Sequence, residues 1–385
     1  MARAATAYVQ FEADLSRYVA HRPSIIHFVV SPDASYGEIG LALFRAIRPW
    51  NTWIIGWGFD MASEPDFSEE TLKARVRSLV GDPELEIKIK STSTWYVNQS
   101  FATTYAKGRV FCGGDAVHRH PPTNGLGTNT SMQDAYNLAW KLAFVLKGFA
   151  DETLLASYSA ERAPIGRQIV LRANQSRKEY APLQEAFRAP DGDAPAKLRN
   201  PGADGVAVRE ALAKALALKL YDFDTHGVEL NQRYTSTAVV TDLTVGGEKW
   251  DRDPELFAQA TTRPGAKLPH TWLVDARGRK ISTLDLVGKG RFSLVTGLSG
   301  GAWVSAAEQL NLPYLRAVVI GDKSSADLYC TWAKLREIDE AGALLVRPDG
   351  YIAWRHAEKP SDEEEAFARL SAALTATLGK PAVSK

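Results

Sequence analysis

The sequence predicts a mixed α/β protein built in two parts and joined by a polar linker. Three observations carry that prediction. Short β-rich apolar runs alternate with helical patterns over the first half of the chain. Composition then turns to Ala, Pro, Gly and Asp over residues 189–205 (APDGDAPAKLRNPGADG). From residue 263 onward, short strands recur with helices between them. A chain of 385 residues has room for two or three domains with sizeable cores. The expected divisions are 1–188, a linker with a helix over 189–262, and 263–380.

Taken in order, residues 24–31 (SIIHFVVS) read as a first strand closed by Pro32, with 52–59 (TWIIGWGF) and 85–96 (LEIKIKSTSTWY) as the next two. Ser68 before Glu69 and Glu70 opens a helix that runs to Val80 and stops at Gly81. Residues 109–113 (RVFCG) predict a short buried strand. A helix follows from Thr130 to Lys147, with Met132, Ala135, Leu138, Ala139, Leu142, Ala143 and Leu146 at three- and four-residue spacing. Thr130 with Gln133 suits a capping box, and Gly148 suits the stop. The next helical stretch, 152–185, is expected to break near Pro164. Residues 206–221 are helical. Beyond 263, strands are predicted at 270–275, 291–296, 317–320 and 343–346, with helices at 304–310 and 325–334. Pro348-Asp349-Gly350 makes a tight turn before 351–355.

Composition excludes several function classes. A net charge of +1 lacks the basic surplus of an electrostatic nucleic-acid binder. Two cysteines, Cys112 and Cys330, form neither a disulfide framework nor a zinc set, and a cytoplasmic setting is expected. Residues 1–7 lack the apolar core of a signal peptide, and no run reaches the roughly 18 apolar residues of a membrane span. Ser157 and Ser159 stand outside any G-x-S-x-G context. The first 36 residues contain no glycine, so no G-x-G-x-x-G unit opens the chain.

The chemistry concentrates in residues 108–142. A strand delivers Gly114-Asp115 to its end, where Asp115 is an acceptor suited to a sugar or ribityl hydroxyl. Pro121-Pro122 makes a stiff wall. Gly125 and Gly127 let backbone approach a flat ligand. The helix after them aims its free N–H groups and positive dipole end at the same place, which favours negative charge. Each piece alone is common turn chemistry. Gly125 to Thr130 (GLGTNT) ends in Thr and follows a long loop, so it is not a dinucleotide fingerprint. His118 and His120 near Asp115 lack a third strong ligand; no metal site is expected, and their rings are expected to bond backbone.

In order and spacing, Gly114-Asp115, His118, Pro121-Pro122-Thr123 and Gly127-Thr128-Asn129, then the helix and residues 155–162 (LASYSAER), resemble the second flavin motif of the class A aromatic hydroxylases. This is the para-hydroxybenzoate and phenol hydroxylase family. Residues 48–51 (RPWN), 91–95 (STSTW) and 226–234 (HGVELNQRY) extend the likeness over nearly the whole chain. The resemblance implies FAD as cofactor, NAD(P)H as co-substrate, and ortho-hydroxylation of a phenol with dioxygen. It implies that Asp115 holds the ribityl chain and that Pro122 lies against the flavin. Gly125, Gly127, Thr128 and Asn129 would line the isoalloxazine edge with backbone groups. No residue is assigned a catalytic role.

The same resemblance makes residues 263–380 a thioredoxin-like domain. Its counterpart of the redox turn, residues 297–303 (GLSGGAW), has no cysteine, so disulfide exchange is not expected. Cys330 is expected in the core. Trp50, Trp53, Trp57 and Trp95 suit either an aromatic substrate pocket or core packing; Arg45 and Arg48 suit either a phenolate or water. Family members open with the G-x-G-x-x-G unit, so the expectation is a chain lacking the N-terminal dinucleotide-binding segment. Three readings follow: an FAD-dependent phenol monooxygenase inactive alone, a half-subunit completed by a separate N-terminal chain, or a non-enzymatic assembly or dimerisation module. The third predicts a homodimer that binds no flavin.

Overall fold

A computed structural model describes residues 5–29, 42–59, 65–187, 194–242 and 246–382. Among the described residues, five strands come first: β1 (Ala5–Glu12), β2 (Ile26–Val29), β3 (Ala42–Arg48), β4 (Thr52–Phe59) and β5 (Lys88–Tyr96). They form one antiparallel sheet in the order β2-β3-β4-β1-β5. Strand β1, which the sequence reading did not include, is therefore next to the edge strand β5 and pairs along its whole length. Its alternation was legible: Ala5, Ala7, Val9 and Phe11 point into the core while Thr6, Tyr8 and Gln10 point away. The expected strand at 24–31 appears as β2, with residues 30 and 31 outside the described residues.

One face of the sheet is closed by a helix. A single turn, α1 (Ser16–Val19), precedes β2, and α2 (Glu69–Val80) covers the face. Ser68 caps α2 by accepting from the Thr71 N–H at 3.4 Å, and Gly81 ends it at φ +75°. Leu72, Val76 and Leu79 pack on Val9, Phe11, Phe44, Trp53, Ile55 and Trp57. Trp53 and Trp57 are therefore core residues; Arg45 and Arg48 are exposed.

Four two-residue strands follow, β6 (Ser100–Phe101), β7 (Ala106–Lys107), β8 (Val110–Phe111) and β9 (His118–Arg119). The buried strand expected at 109–113 is thus corrected to a short hairpin arm whose Val110 is 66% exposed. Two long helices come next, α3 (Gly127–Leu146) and α4 (Ala156–Lys178). Pro164 does not break α4; it lies on the exposed side of the helix. The chain then runs through α5 (Ala181–Phe187), α6 (Ala194–Arg199), α7 (Ala203–Ala217), α8 (Leu220–Phe223) and α9 (His226–Leu230). Residues 189–193 of the expected linker lie outside the described residues, and α6 makes part of the remainder helical.

The last part holds a hairpin, β10 (Trp272–Val274) with β11 (Lys280–Ser282), and then β12 (Phe292–Gly297), α10 (Gly301–Leu310), β13 (Leu315–Ile320), α11 (Thr331–Leu335), β14 (Ala343–Val346), β15 (Ile352–His356) and α12 (Glu363–Leu378). The sheet order is β13-β12-β14-β15, with β12 and β13 parallel and β14 and β15 antiparallel to their neighbours. Parallel β12 and β13 joined through α10, followed by an antiparallel hairpin and a final helix, is the thioredoxin-like topology. Helix α12 was not anticipated, although Asp362 caps it and three glutamates fill its first turn. Cys330 is corrected: both cysteines are exposed, and Cys330 precedes α11 at φ +53°.

The described chain divides into two compact units. The first comprises Met1–Ser100, Arg119–Asn124 and Val170–Asp224; the second comprises Phe101–His118, Gly125–Ile169 and Thr225–Lys385.

Candidate cofactor and substrate site

In the second unit, Gly113 and Gly114 pass so close to α3 and α4 that side chains are excluded there. A Cβ on Gly113 would lie 2.9 Å from the Tyr158 hydroxyl, and one on Gly114 would lie 3.0 Å from Ser131 Oγ. Gly114 also has φ +62°, where a side chain is strained. The glycines bend the chain into a 3-10 turn, Gly114–Ala116, that leaves Asp115 exposed beside the first turns of α3.

That turn is held from beneath by Asp134, one of the most buried polar residues of α3. Its Oδ2 accepts from the Gly114 N–H at 3.0 Å and meets His118 Nε2 at 2.9 Å; its Oδ1 accepts from Arg162 Nε at 2.8 Å. Burial pushes the Asp134 carboxyl up. The His118 bond, the Arg162 charge and the Gly114 N–H outweigh it and hold the group below its ordinary value. His118 pairs with a carboxylate, and His120 Nδ1 lies 2.7 Å from the Pro121 carbonyl as expected. Among the described residues, no three His, Cys, Asp or Glu side chains are grouped to hold a metal.

Helix α3 begins at Gly127, three residues earlier than predicted. The capping box is corrected: Leu126 occupies the N-cap, no side chain caps the helix, and Gln133 instead accepts from Arg162 Nη2 at 3.2 Å and from Gln232 Nε2 at 2.9 Å. No acidic residue stands in the first turn, so the amides of Gly127, Thr128 and Asn129 open a 20-residue helix with its dipole uncompensated. Thr128 and Asn129 are exposed, Gly127 is half-buried, and Gly125 is exposed at φ +63° with open space where a side chain would stand. The second unit therefore contains five of the six expected cofactor residues: Asp115, Gly125, Gly127, Thr128 and Asn129.

The sixth, Pro122, belongs to the first unit, where it is exposed after buried Pro121. Its strap is fastened downstream: Thr123 Oγ1 donates to the Ala173 carbonyl at 2.5 Å, and the Asn124 N–H donates to Asp222 Oδ1 at 2.8 Å. The same unit carries the open face of the five-stranded sheet. Tyr8, Gly56 and Leu43 lie in one cross-strand row, and Gln10, Ile54 and Arg45 lie in the next. The Tyr8 ring covers Gly56, and burial raises its hydroxyl pKa against the pull of Arg45.

The apolar positions predicted to form the inner face of α3 do not form it. Met132 is 59% exposed and Leu146 is 81% exposed, whereas Thr130, Asp134, Asn137, Trp140, Lys141 and Phe144 are buried. Charge pairing makes that burial tolerable. Glu161 of α4 accepts from Lys141 Nζ at 2.8 Å, Asn137 Nδ2 at 2.7 Å, and both Arg347 terminal nitrogens at 2.6 and 2.8 Å. Burial pushes the Glu161 carboxyl up, yet the charges of Arg347 and Lys141 keep it far below the usual carboxylate range. Lys141 is pulled down to about 8, by burial first; Glu161 opposes the shift, and the nearby Arg347 charge adds to it. Asp134, Glu161, Arg162 and Arg347 were missed by the sequence reading. The signal was the spacing of Asp134, Asn137 and Lys141, which places three polar groups on one helix face.

Two family models match the chain: an FAD binding domain over residues 1–173 and an aromatic-ring hydroxylase C-terminal domain over 261–381. The 2,4-dichlorophenol 6-monooxygenase of Cupriavidus pinatubonensis is 44% identical over 99% of this chain and 65% of its own length. The enzyme of the same name from Delftia acidovorans is 48% identical over 90% of this chain and 61% of its own. The chain therefore spans 61–65% of these curated relatives. Among solved structures, the flavin-dependent monooxygenase PieE in complex with FAD and substrate aligns with a TM-score of 0.89 at 40% identity, over 98% of this chain and 66% of that one. The fold with its C-terminal thioredoxin-like sheet, the Gly114-Asp115 turn on an uncapped α3, and both matched models agree: the chain belongs to the FAD-dependent aromatic-ring hydroxylase family.

Proposed function

We propose that this chain forms the substrate sheet, one side of the flavin site and the C-terminal domain of an FAD-dependent monooxygenase that ortho-hydroxylates a phenol with NAD(P)H and dioxygen. The observation that carries the reading is the uncapped start of α3 beside the Gly114–Ala116 turn. The donor set fits a flavin, offering free amides for the ring's polar edge and an exposed carboxylate for a hydroxylated chain. When bound, FAD would accept hydride from NAD(P)H and deliver one atom of dioxygen to the ring. Asp115 would accept from a ribityl hydroxyl, and Gly125, Gly127, Thr128 and Asn129 would present backbone to the isoalloxazine. Pro122 would close against it. On the sheet, Arg45 would draw the phenolate oxygen, with Tyr8 as its hydrogen-bonding neighbour.

The names of the relatives support a phenolic substrate. A homodimer, or a separate chain completing the subunit, is part of the same reading. So is a cytoplasmic setting, supported by two exposed cysteines without a disulfide. The division of the chain near residue 263 also belongs to it, supported by the C-terminal match beginning at 261.

The test joins the chain to the segment of the 2,4-dichlorophenol relative outside the matched region. The joined protein should keep FAD through gel filtration and oxidise NAD(P)H when a phenol is added. Asp115→Ala should weaken FAD binding about 10–100-fold, the loss of a charge-assisted bond worth roughly 1.5–3 kcal/mol. A colourless protein would overturn the reading in favour of a non-enzymatic assembly module, and undiminished FAD affinity in Asp115→Ala would overturn the placement of the ribityl contact at Asp115.

A further inference from the structure

The turn between β14 and β15, residues 347–350, reads in sequence as plain Pro-Asp-Gly turn chemistry. In the fold it docks against α3 and α4. Asp349 Oδ2 accepts from Trp140 Nε1 at 3.0 Å, and the Pro348 carbonyl accepts from the Tyr136 hydroxyl at 2.9 Å. Arg347, wholly buried, grips Glu161 through both terminal nitrogens and Asp349 through a 2.6 Å bond. A second contact runs beside it. Tyr351 stacks on Tyr234 with ring centroids 4.1 Å apart and donates to Gln232 Oε1 at 3.1 Å. Gln232 Oε1 and the Tyr234 hydroxyl are themselves acceptors for Arg162 Nη1, at 3.0 and 2.9 Å.

Both contacts from the C-terminal domain therefore end on adjacent residues of α4, Glu161 and Arg162. Arg162 continues to Asp134, and Asp134 holds the Gly114 N–H and His118. All these groups lie in the second unit. We propose that the β14–β15 turn, through Arg347, positions the Gly114-Asp115 turn, making the C-terminal domain a positioning element for the cofactor-facing end of α3. The inference rests on the reading that Asp115 faces the flavin. Arg347 touches neither cofactor nor substrate; it is a positioning residue that acts through Glu161, Arg162 and Asp134. A contact chain becomes a coupling only when disturbing one end moves the other.

Amide hydrogen exchange across residues 112–118 of the full chain provides that disturbance, and needs no flavin. Arg347→Met and the near-isosteric Glu161→Gln should each speed exchange at Gly114 and its neighbours about tenfold or more, as local opening becomes easier. Arg347→Lys, which keeps the charge and loses the two-pronged grip, should fall between wild type and Arg347→Met. The control is Leu344→Ala, on the other core of the same C-terminal sheet. At an equal loss of melting temperature it should leave exchange at 112–118 within about twofold of wild type. Equal acceleration in Leu344→Ala would reduce the effect to domain stability and overturn the proposal. So would unchanged exchange in Glu161→Gln, which decides the matter if Arg347→Met fails to fold. FAD binding by wild type is read separately: its failure removes the functional reading, while the exchange result still decides the coupling.

Discussion

The core between the five-stranded sheet and α2 and the seam between α3 and α4 are both buried, yet they are stabilised in opposite ways. The sheet core is apolar throughout, from Val9 and Phe11 to Trp53 and Leu72. Each large side chain there adds roughly 1.5–3 kcal/mol by leaving water, almost regardless of its exact neighbour. The seam buries Asp134, Lys141, Glu161, Arg162 and Arg347, whose desolvation is offset only by specific partners. An apolar core tolerates approximate shape; an ionic seam does not tolerate the loss of one member. A helix face is chosen by what it meets, and in α3 charge meets charge.

The largest expected effect breaks the seam. Glu161→Ala leaves Lys141 and Arg347 buried without their carboxylate and should cost about 3–5 kcal/mol in urea unfolding at pH 7. Because the Glu161 carboxyl is held far below the usual range in the fold, its stabilisation is present above the unfolded value and fades as pH falls beneath it. The gap between wild type and Glu161→Ala should therefore narrow as pH drops below about 4.5. Constant separation down to pH 3 would mean that the carboxylate's charge is not what stabilises the seam.

Leu72→Ala is the matching cut in the apolar core, and should cost about 2–4 kcal/mol. No titrating group is removed, so this loss should be the same at pH 4 and pH 7. A strong pH dependence would erase the distinction between the two regions.

Lys141 sharpens the comparison from the alkaline side. Its folded value of about 8 lies below the ordinary 10.5, so between those values the unfolded chain binds more protons. Stability contributed by this group should rise across that window, by on the order of 1–3 kcal/mol, and be fully present above it. Thermal melts of wild type and Lys141→Met from pH 7.5 to 10 should show the rise only in wild type. Parallel curves would mean that Lys141 does not titrate there.

The smallest effect is at Cys330. Since it is exposed, Cys330→Ser should change stability by less than about 0.5 kcal/mol, and wild type should label rapidly with a thiol reagent under native conditions. Slow labelling would restore the core placement expected from sequence.

Legibility followed the same division. Strand β4 appears at its predicted bounds, and α2 appears with its Ser68 cap and Gly81 stop, because a short β-rich apolar run and capping chemistry are local signals. The segment proposed to face the cofactor could be singled out because Gly114-Asp115 and Gly125 to Asn129 follow one another along the chain. What held that segment was not. Asp134 is 20 residues from the Gly114 N–H it accepts, and Glu161 is 186 residues from Arg347. Neither pairing leaves a local periodicity to read.

By itself, then, the sequence determined the class of fold, the positions of most elements, the family and the loop that faces the cofactor in the proposed reading. Those features rest on short-range sterics and on side-chain types at fixed spacing. Only the tertiary structure decided which face of α3 is buried, that Pro164 lies inside an unbroken helix, and that the β14–β15 turn reaches Glu161. The physical reason is common to all three. Burying a charge or leaving a carbonyl unbonded is costly alone and tolerable beside the right neighbour, and the neighbour is supplied by distant chain or by solvent.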